Sequence, residues 1–160
     1  MFETEVYVQR RQQLKRAVES GLLLFLGNEM VPMNYADNLY PFWQDGSFLY
    51  YWGLDTPGLT AIIDLDDDRE TLFGHDPTID EIVWTGPLPS LQARAERVGV
   101  RETEPRDAVG DVVRRAVDAG RPVHIVPPYR ATHTLKLADW LGVAPNAVAD
   151  YVSERFVPAV

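Results

Sequence analysis

The chain has 160 residues, of which 46% are hydrophobic and 24% are charged, and its formal net charge is −9 at pH 7. This length and composition suit one globular domain that buries about 70% of its unfolded surface. The negative charge and the scattered basic residues argue against a nucleic-acid partner. The longest apolar run, residues 22–26, is far shorter than a membrane span, and no secretory leader opens the chain. We therefore expect a cytoplasmic protein without membrane contact. It has no cysteine, which excludes disulfides and thiol nucleophiles.

The first half of the chain predicts one helix followed by strands and turns. Thr4 is a candidate cap for a helix over residues 4–20, and Gly21 ends it. Residues 22–26 are continuously apolar, as in a strand covered on both faces. The rest of this half predicts a polar loop over 28–39, an extended piece at 42–44, a helical turn over 48–52, and a hairpin of two strands over 60–65 and 70–73.

The second half alternates helical and extended patterns. It predicts helices over 90–98, 107–119 and 132–141, and a strand over 122–126. This alternation predicts an α/β fold, a three-layer sandwich in which helices flank a mixed β-sheet of about five or six strands. Residues 1–160 are expected to form a single domain.

Few residues of the sequence suggest a metal-binding or catalytic site. The acidic turn at 66–68 admits a calcium site or a solvated turn, and the lack of a following Gly and distal Glu favours the turn. The pair His75-Asp76 follows a strand, where functional loops gather, but one such pair is weak support for a site. His124 lies within an apolar strand and is expected to be structural. Nucleophile-elbow, phosphate-loop, dinucleotide-binding and His-Glu-x-x-His motifs are all missing, so we expect no catalytic residue and no metal site in this chain.

The segment 36–53 holds seven aromatic side chains among polar ones. Tyr and Trp combine a large apolar body with a polar tip, which suits half-buried contact surfaces. We expect the aromatic part of this segment to be partly buried and partly presented at a subunit or domain contact. The residues expected at that interface are Trp43, Tyr50, Tyr51 and Trp52.

The same segment resembles the N-terminal domain of the aminopeptidase P, prolidase and creatinase family. The residues that match the family pattern are Tyr40-Pro41-Phe42, Gln44-Asp45, Ser47-Phe48, Tyr50-Tyr51 and Gly53. An Arg-rich first helix, the strand at Leu72-Phe73 and the segment 82–86 extend the similarity over nearly the whole chain. The family often has Arg where Trp43 stands and Leu-Thr where Trp52 stands, which leaves the subfamily open.

The resemblance implies a protein larger than this chain. In that family the α/β domain precedes a catalytic domain that holds two divalent metals, such as manganese, cobalt or zinc, on two Asp, one His and two Glu. The metals activate the water that cuts an Xaa-Pro bond. Residues 1–160 do not match that ligand set, so the resemblance implies an excised or naturally truncated first domain, without a cofactor of its own and inactive as a peptidase.

The resemblance also assigns residues to a substrate pocket. Asp37, Tyr40 and Trp84 match positions that reach from one subunit towards the active site of a neighbour in the family's oligomers. A carboxylate can hold a peptide's ammonium group, and an indole can cover a prolyl side chain. Two alternatives stay open: Asp37 caps the turn before Pro41, and Trp84 packs between the sheet and the helix at 90–98.

Two function classes follow. The first is the non-catalytic N-terminal domain of an Xaa-Pro aminopeptidase or dipeptidase. Its expected partners are its own catalytic domain, neighbouring subunits of a homo-oligomer and a proline-containing peptide substrate. The second is a stand-alone binding or protein-interaction module that has lost the catalytic domain.

Overall fold

A mixed five-stranded sheet forms the centre of the molecule. The computed structural model describes residues 2–159, except for the side chains of Glu81, Trp84, Thr85, Pro158 and Ala159. The strands are β1 Leu22–Leu26, β2 Thr60–Asp64, β3 Arg69–Gly74, β4 Glu102–Pro105 and β5 Val123–Ile125, and their order is β4-β3-β2-β1-β5. Strand β2 is antiparallel to both of its neighbours, whereas β1 pairs with β5, and β3 with β4, in parallel. This sheet confirms the predicted mixed α/β architecture.

Helices cover both faces of the sheet. The helices are α1 Thr4–Ala17, α2 Gly46–Trp52, α3 Ile79–Thr85, α4 Leu91–Glu96, α5 Val109–Asp118, α6 Ala131–Leu141 and α7 Phe156–Ala159, with short 3-10 helices at Arg106–Ala108 and Pro145–Tyr151. Residues of α1, α2, α4 and α7 pack in one hydrophobic cluster against one sheet face, and residues of α5 and α6 form a second cluster on the other. The predicted three layers are therefore present.

Strand β1 shows why a continuous apolar run is needed at the centre. Leu23 and Phe25 point into the first cluster, whereas Leu22 and Leu24 point into the second. All four side chains are buried. Because successive strand residues face opposite sides of the sheet, a central strand with helices on both faces has no polar side.

Two glycines mark tight approaches at element ends. Gly53 ends α2 with a φ of 62°, and a Cβ there would overlap the ring of Tyr7. Gly21, with a φ of 92°, lies against Pro122, where a side chain would overlap the Pro122 carbonyl. The prediction that Gly21 ends the first helix is wrong, because α1 ends at Ala17 and its C-cap, Val18, is already extended.

A buried arginine, Arg11, joins α1 to the rest of the first layer. Its side chain has no exposed surface and donates three hydrogen bonds: Nε to Glu70 at 2.8 Å, Nη1 to the Tyr51 carbonyl at 3.0 Å and Nη2 to the Val98 carbonyl at 2.8 Å. Burial lowers the pKa of Arg11, and the Glu70 carboxylate opposes that shift.

Several local predictions need correction. Thr4 is not the cap of α1, because the cap position is Glu3 and the Thr4 hydroxyl donates to the Arg97 carbonyl instead. The helix over 90–98 is shorter than predicted, since α4 ends at Glu96. The sequence patterns also missed β4 and α3, whose residues are mostly polar or exposed.

Candidate functional site

Four of the five strands end at the same edge of the sheet. Because β2 alone runs the other way, the carboxyl ends of β1, β3, β4 and β5 lie together. In open α/β sheets, ligands bind outside the carboxyl ends of the strands. We call this side of the molecule, with the segments 27–45, 75–90, 106–108 and 126–130 that follow these strands, the carboxyl edge.

The long segment after β1 is tied down at its base. Asn28 is buried, its backbone N–H donates to Gln44 Oε1 at 2.7 Å, and its Nδ2 donates to the Trp43 carbonyl at 2.8 Å. The Gln44 amide donates in turn to the carbonyls of Leu54 and Thr56 at 3.1 and 2.9 Å. These bonds close the segment at both ends, so residues between Asn28 and Trp43 stand out from the sheet as one loop.

Asp37 lies at the tip of this loop. The tip is held by hydrogen bonds from Asn38 Nδ2 to Asn34 Oδ1 at 2.8 Å and from the Asn38 backbone N–H to the Tyr35 carbonyl at 3.1 Å. Asp37 is exposed, and within residues 2–159 its carboxylate makes no hydrogen bond or ion pair. Asp37 therefore takes part in none of the hydrogen bonds that hold the tip, and its carboxylate is available to a partner.

The aromatic residues of the segment 40–52 divide into two groups. Tyr40, Trp43 and Tyr50 are 53%, 77% and 46% exposed. Tyr51 and Trp52 are 3% and 0% exposed and pack on Phe25 in the core. Tyr51 and Trp52 therefore have no side-chain surface to offer a partner, and their assignment to an interface is wrong. Helix α2 turns them inward, whereas Tyr50 lies on its outer side and Trp43 precedes the helix.

Trp84 lies on another segment of the carboxyl edge. Its backbone belongs to α3, which follows β3. Its side chain lies outside the described residues, so its expected place in a pocket and the packing alternative both stay predictions. The topology nevertheless brings Trp84 to the same edge as Asp37 and Tyr40.

Exposed apolar side chains are concentrated at the carboxyl edge. Of the seventeen large hydrophobic residues that are exposed in the described part of the chain, twelve belong to segments that follow β1, β3 or β5. They are Met30, Val31, Met33, Tyr35, Leu39, Tyr40, Trp43, Ile79, Ile82, Val83, Leu88 and Tyr129. Large exposed apolar patches mark contact with another protein or a ligand, so these segments are candidates for such a contact.

Glu29 links the segment after β1 to α6 and to the segment after β4. One carboxylate oxygen accepts hydrogen bonds from Lys136 on α6 and from Arg106 after β4. Burial raises the pKa of the Glu29 carboxyl, but the hydrogen bond and charge of Lys136 and the charge of Arg106 outweigh burial and lower the pKa below its ordinary value. Glu29 is therefore charged at neutral pH and fixes the base of the loop.

His133 lies beneath the same edge. It is 5% exposed, and its ring meets the Tyr129 ring edge-on at 6.3 Å between centroids. Burial lowers the pKa of His133, opposed by the nearby Asp45 carboxylate. The sequence patterns missed Asn28, Glu29 and Arg130 at the edge and His133 beneath it, although the polar Asn28-Glu29 pair, one residue after a buried strand, was an available signal.

The other charged candidates have structural partners. Asp64 and Asp66 both pair with Arg121, and Asp68 pairs with Lys15 at 2.9 Å. Those contacts make the acidic turn a set of surface ion pairs. Asp76 accepts a hydrogen bond from the Leu91 backbone N–H at 2.6 Å at the start of α4, and the His124 ring hydrogen-bonds the Ser20 carbonyl at 2.9 Å.

The described residues place no three His, Cys, Asp or Glu side chains where together they could hold a metal ion. The metal pair that the resemblance implies for the family therefore has no fitting ligand set here. Among the helices described between residues 2 and 159, none is long and apolar enough to cross a membrane.

The chain is similar in sequence to a known domain family and to curated proteins. The family model for the aminopeptidase P N-terminal domain matches residues 7–125. A probable Xaa-Pro aminopeptidase of Arthroderma otae is 29% identical over 121 residues, which cover 74% of this chain and 25% of that protein. One of Aspergillus flavus is 31% identical over 83 residues, or 52% of this chain and 17% of that protein. The chain thus spans about a quarter or less of the curated relatives it matches.

Solved structures show the same fold. Aminopeptidase P from Escherichia coli in its low-pH form has a TM-score of 0.75 at 20% identity, over 89% of this chain and 33% of that chain. Proline aminopeptidase P II from Yersinia pestis has a TM-score of 0.73 at 19% identity, over 88% of this chain and 33% of that chain. Together with the family model that matches most of its length, these likenesses place the chain in the family of aminopeptidase P N-terminal domains.

Proposed function

We propose that the chain acts as the non-catalytic N-terminal domain of an Xaa-Pro-specific metallopeptidase, and that its carboxyl edge contacts the catalytic part of the enzyme in a homo-oligomer. The observation that carries the proposal is the concentration of exposed apolar side chains on the segments after β1, β3 and β5. Leaving so much apolar surface in water is unfavourable, and covering it favours association.

Within this contact, Asp37 and Trp84 complete the substrate pocket of a neighbouring subunit, with Tyr40 beside them. The uncommitted Asp37 carboxylate at the loop tip supports this role, because it can accept hydrogen bonds from a peptide's ammonium group. Trp43 is then a contact residue beside the pocket, and Tyr50, on α2 outside this edge, stays a predicted interface residue. The peptidase chemistry belongs to the catalytic domain, and no step of it passes through residues described here.

Kinetics of the complete enzyme test the pocket. A lost charge-assisted hydrogen bond costs about 1.5–3 kcal/mol, or roughly 10- to 150-fold in binding. Asp37→Asn is therefore expected to lower kcat/KM by about that factor on an Xaa-Pro peptide, and Trp84→Ala is expected to lower it as well, with metal content unchanged. Asp150→Asn, at an exposed site far along the chain, is the matched control. Wild-type kcat/KM in both Asp37→Asn and Trp84→Ala enzymes would refute the pocket role.

The second candidate is a stand-alone binding module that uses the same edge. The exposed apolar side chains favour it equally, because they require a partner but do not name it. The gene sequence after codon 160 distinguishes the two candidate functions. A reading frame that continues past codon 160 into a domain with two Asp, one His and two Glu metal ligands supports the first candidate, and a stop codon supports the second.

A further inference from the structure

A cleft of about 270 Å³ opens at the base of the loop after β1. Its wall carries both aromatic and charged groups, namely Glu29, Val31, Tyr40, Pro41, Phe42, Trp43 and Arg130. Ligand pockets are typically about 300–1,000 Å³ and mostly apolar, with few polar groups that orient the ligand. The cleft is slightly smaller, which suits a ligand of one or two amino-acid residues.

Arg130 is the charged residue of the cleft wall whose guanidinium pairs with no acidic side chain among the described residues. Its guanidinium lies over the Tyr129 ring, 5.7 Å from the centroid. Its Nε–H is buried, and within the described residues it has no hydrogen-bond acceptor and its side chain forms no ion pair. A guanidinium is a planar donor that matches a carboxylate with two parallel hydrogen bonds. Arg130 can therefore bind a carboxylate that enters the cleft.

The local charge balance favours an anion despite the Glu29 carboxylate. Glu29 is neutralised by two cations, Lys136 and Arg106, so Arg130 leaves a positive surplus in a chain whose net charge is −9. His133, one turn further along α6, is buried near Asp45. Arg130 also stands at the N-cap of the eleven-residue α6, which no side chain caps, and the helix dipole adds to the positive potential.

The aromatic residues of the cleft wall offer a surface for an apolar group of the ligand. Trp43 is the most exposed aromatic side chain in the described residues, at 77%, and Tyr40 beside it is 53% exposed. Covering part of these rings with an apolar side chain is favourable. A ligand that joins a carboxylate to an apolar side chain fits both features.

We propose that this cleft binds the C-terminal carboxylate of a short peptide that ends in an apolar residue, with the carboxylate on Arg130 and the last side chain on Trp43 and Tyr40. All residues of this site belong to this chain, so the site is present in the isolated chain whether or not Tyr40 and Trp43 also contact a neighbouring subunit. Failure of the proposed metallopeptidase role would leave the cleft unchanged.

The test is an NMR titration of the 160-residue chain with acetyl-Ala-Leu, the same peptide as its C-terminal amide, and acetate. The free-acid peptide is expected to shift the Trp43 indole and Arg130 Nε–H resonances with saturation, and to bind at least tenfold more tightly than either the amide or acetate. Binding of the amide as tightly as the acid, or no shift of either resonance, would overturn the proposal.

Variants assign the carboxylate to Arg130. Arg130→Gln is expected to weaken binding of the free acid at least tenfold, and Arg130→Lys to weaken it less, because it keeps the charge without the planar donor. Arg115→Gln removes an exposed arginine from α5 as the control and is expected to bind like the wild type. Dispersed spectra verify that each variant is folded. Wild-type affinity in a folded Arg130→Gln variant refutes the site.

Discussion

The Asn28 side chain donates a hydrogen bond to the Tyr129 hydroxyl across 3.1 Å and so joins the segments that follow β1 and β5. Those strands are parallel neighbours, so their ends meet. Asn28 is almost fully buried and also holds the Trp43 carbonyl, which makes it the residue that sets where the aromatic loop leaves the sheet.

Replacing Asn28 should loosen this arrangement. In Asn28→Ala the Trp43 carbonyl loses a buried donor, and a lost partner of this kind costs about 1–3 kcal/mol. We expect the free energy of unfolding, measured by urea titration, to fall by that amount. Asn146→Ala, at an exposed site in the 3-10 helix Pro145–Tyr151, should change it little. Equal stability of the two variants would show that the Asn28 bonds do not hold the loop.

Arg11 provides a sharper stability test. Lysine at this position cannot reach three acceptors in three directions, so Arg11→Lys leaves buried acceptors without donors. We expect a loss of about 1–3 kcal/mol in the free energy of unfolding, the cost of leaving a buried acceptor without its donor. Arg16→Lys, exposed on the same helix, is the control and should lose little. A near-neutral Arg11→Lys would mean that packing alone holds α1.

His133 should make stability depend on pH. Its pKa in the folded state lies below the ordinary value of 6.5, with burial as the main cause, so the unfolded state binds the proton more tightly. The free energy of unfolding should therefore fall as pH decreases from about 7.5 to about 5.5. This window lies above the ordinary pKa of 4.5 for Glu29, whose own contribution is lost only at lower pH. His133→Gln should flatten the dependence, and an unchanged slope in that variant would refute the assignment.

The 160-residue chain alone should have no peptidase activity. Its described residues do not gather three metal-ligating side chains of the His, Cys, Asp or Glu type at one place. Purified chain assayed on Xaa-Pro peptides with manganese, cobalt or zinc should show no turnover above the buffer and metal controls. Metal-dependent turnover that co-purifies with the chain would contradict this expectation.

The main architecture was predictable because its signals are strong and local. The run Leu22–Leu26 has no polar residue, so it predicts a strand with other elements packed on both of its faces. The polar residues before and after the run mark where the neighbouring elements end and begin. Strand β4 was missed because Glu-Thr-Glu-Pro lies at the sheet edge, where half of the strand faces water and needs no apolar pattern.

Whether each aromatic side chain is buried or exposed was harder to predict. Trp43 and Trp52 belong to the same segment, yet one is 77% exposed and the other is fully buried. Their difference depends on where α2 begins, which Asp45 sets by accepting a hydrogen bond from the Phe48 backbone N–H at 2.9 Å. Likewise, Arg130 and Glu29 come together only through the parallel pairing of β1 and β5, which local sequence patterns do not specify.

The central claim is that the carboxyl edge of one subunit completes the active site of another, and mixing subunits of the complete enzyme tests it most directly. One variant carries Asp37→Asn, and the other keeps Asp37 but lacks a metal ligand in the catalytic domain. Each homo-oligomer should have little activity. Mixed oligomers should regain activity, because one site then combines an intact metal centre with Asp37 from the neighbouring subunit. Mixed oligomers, verified by mass, that stay as inactive as the parents would contradict the claim.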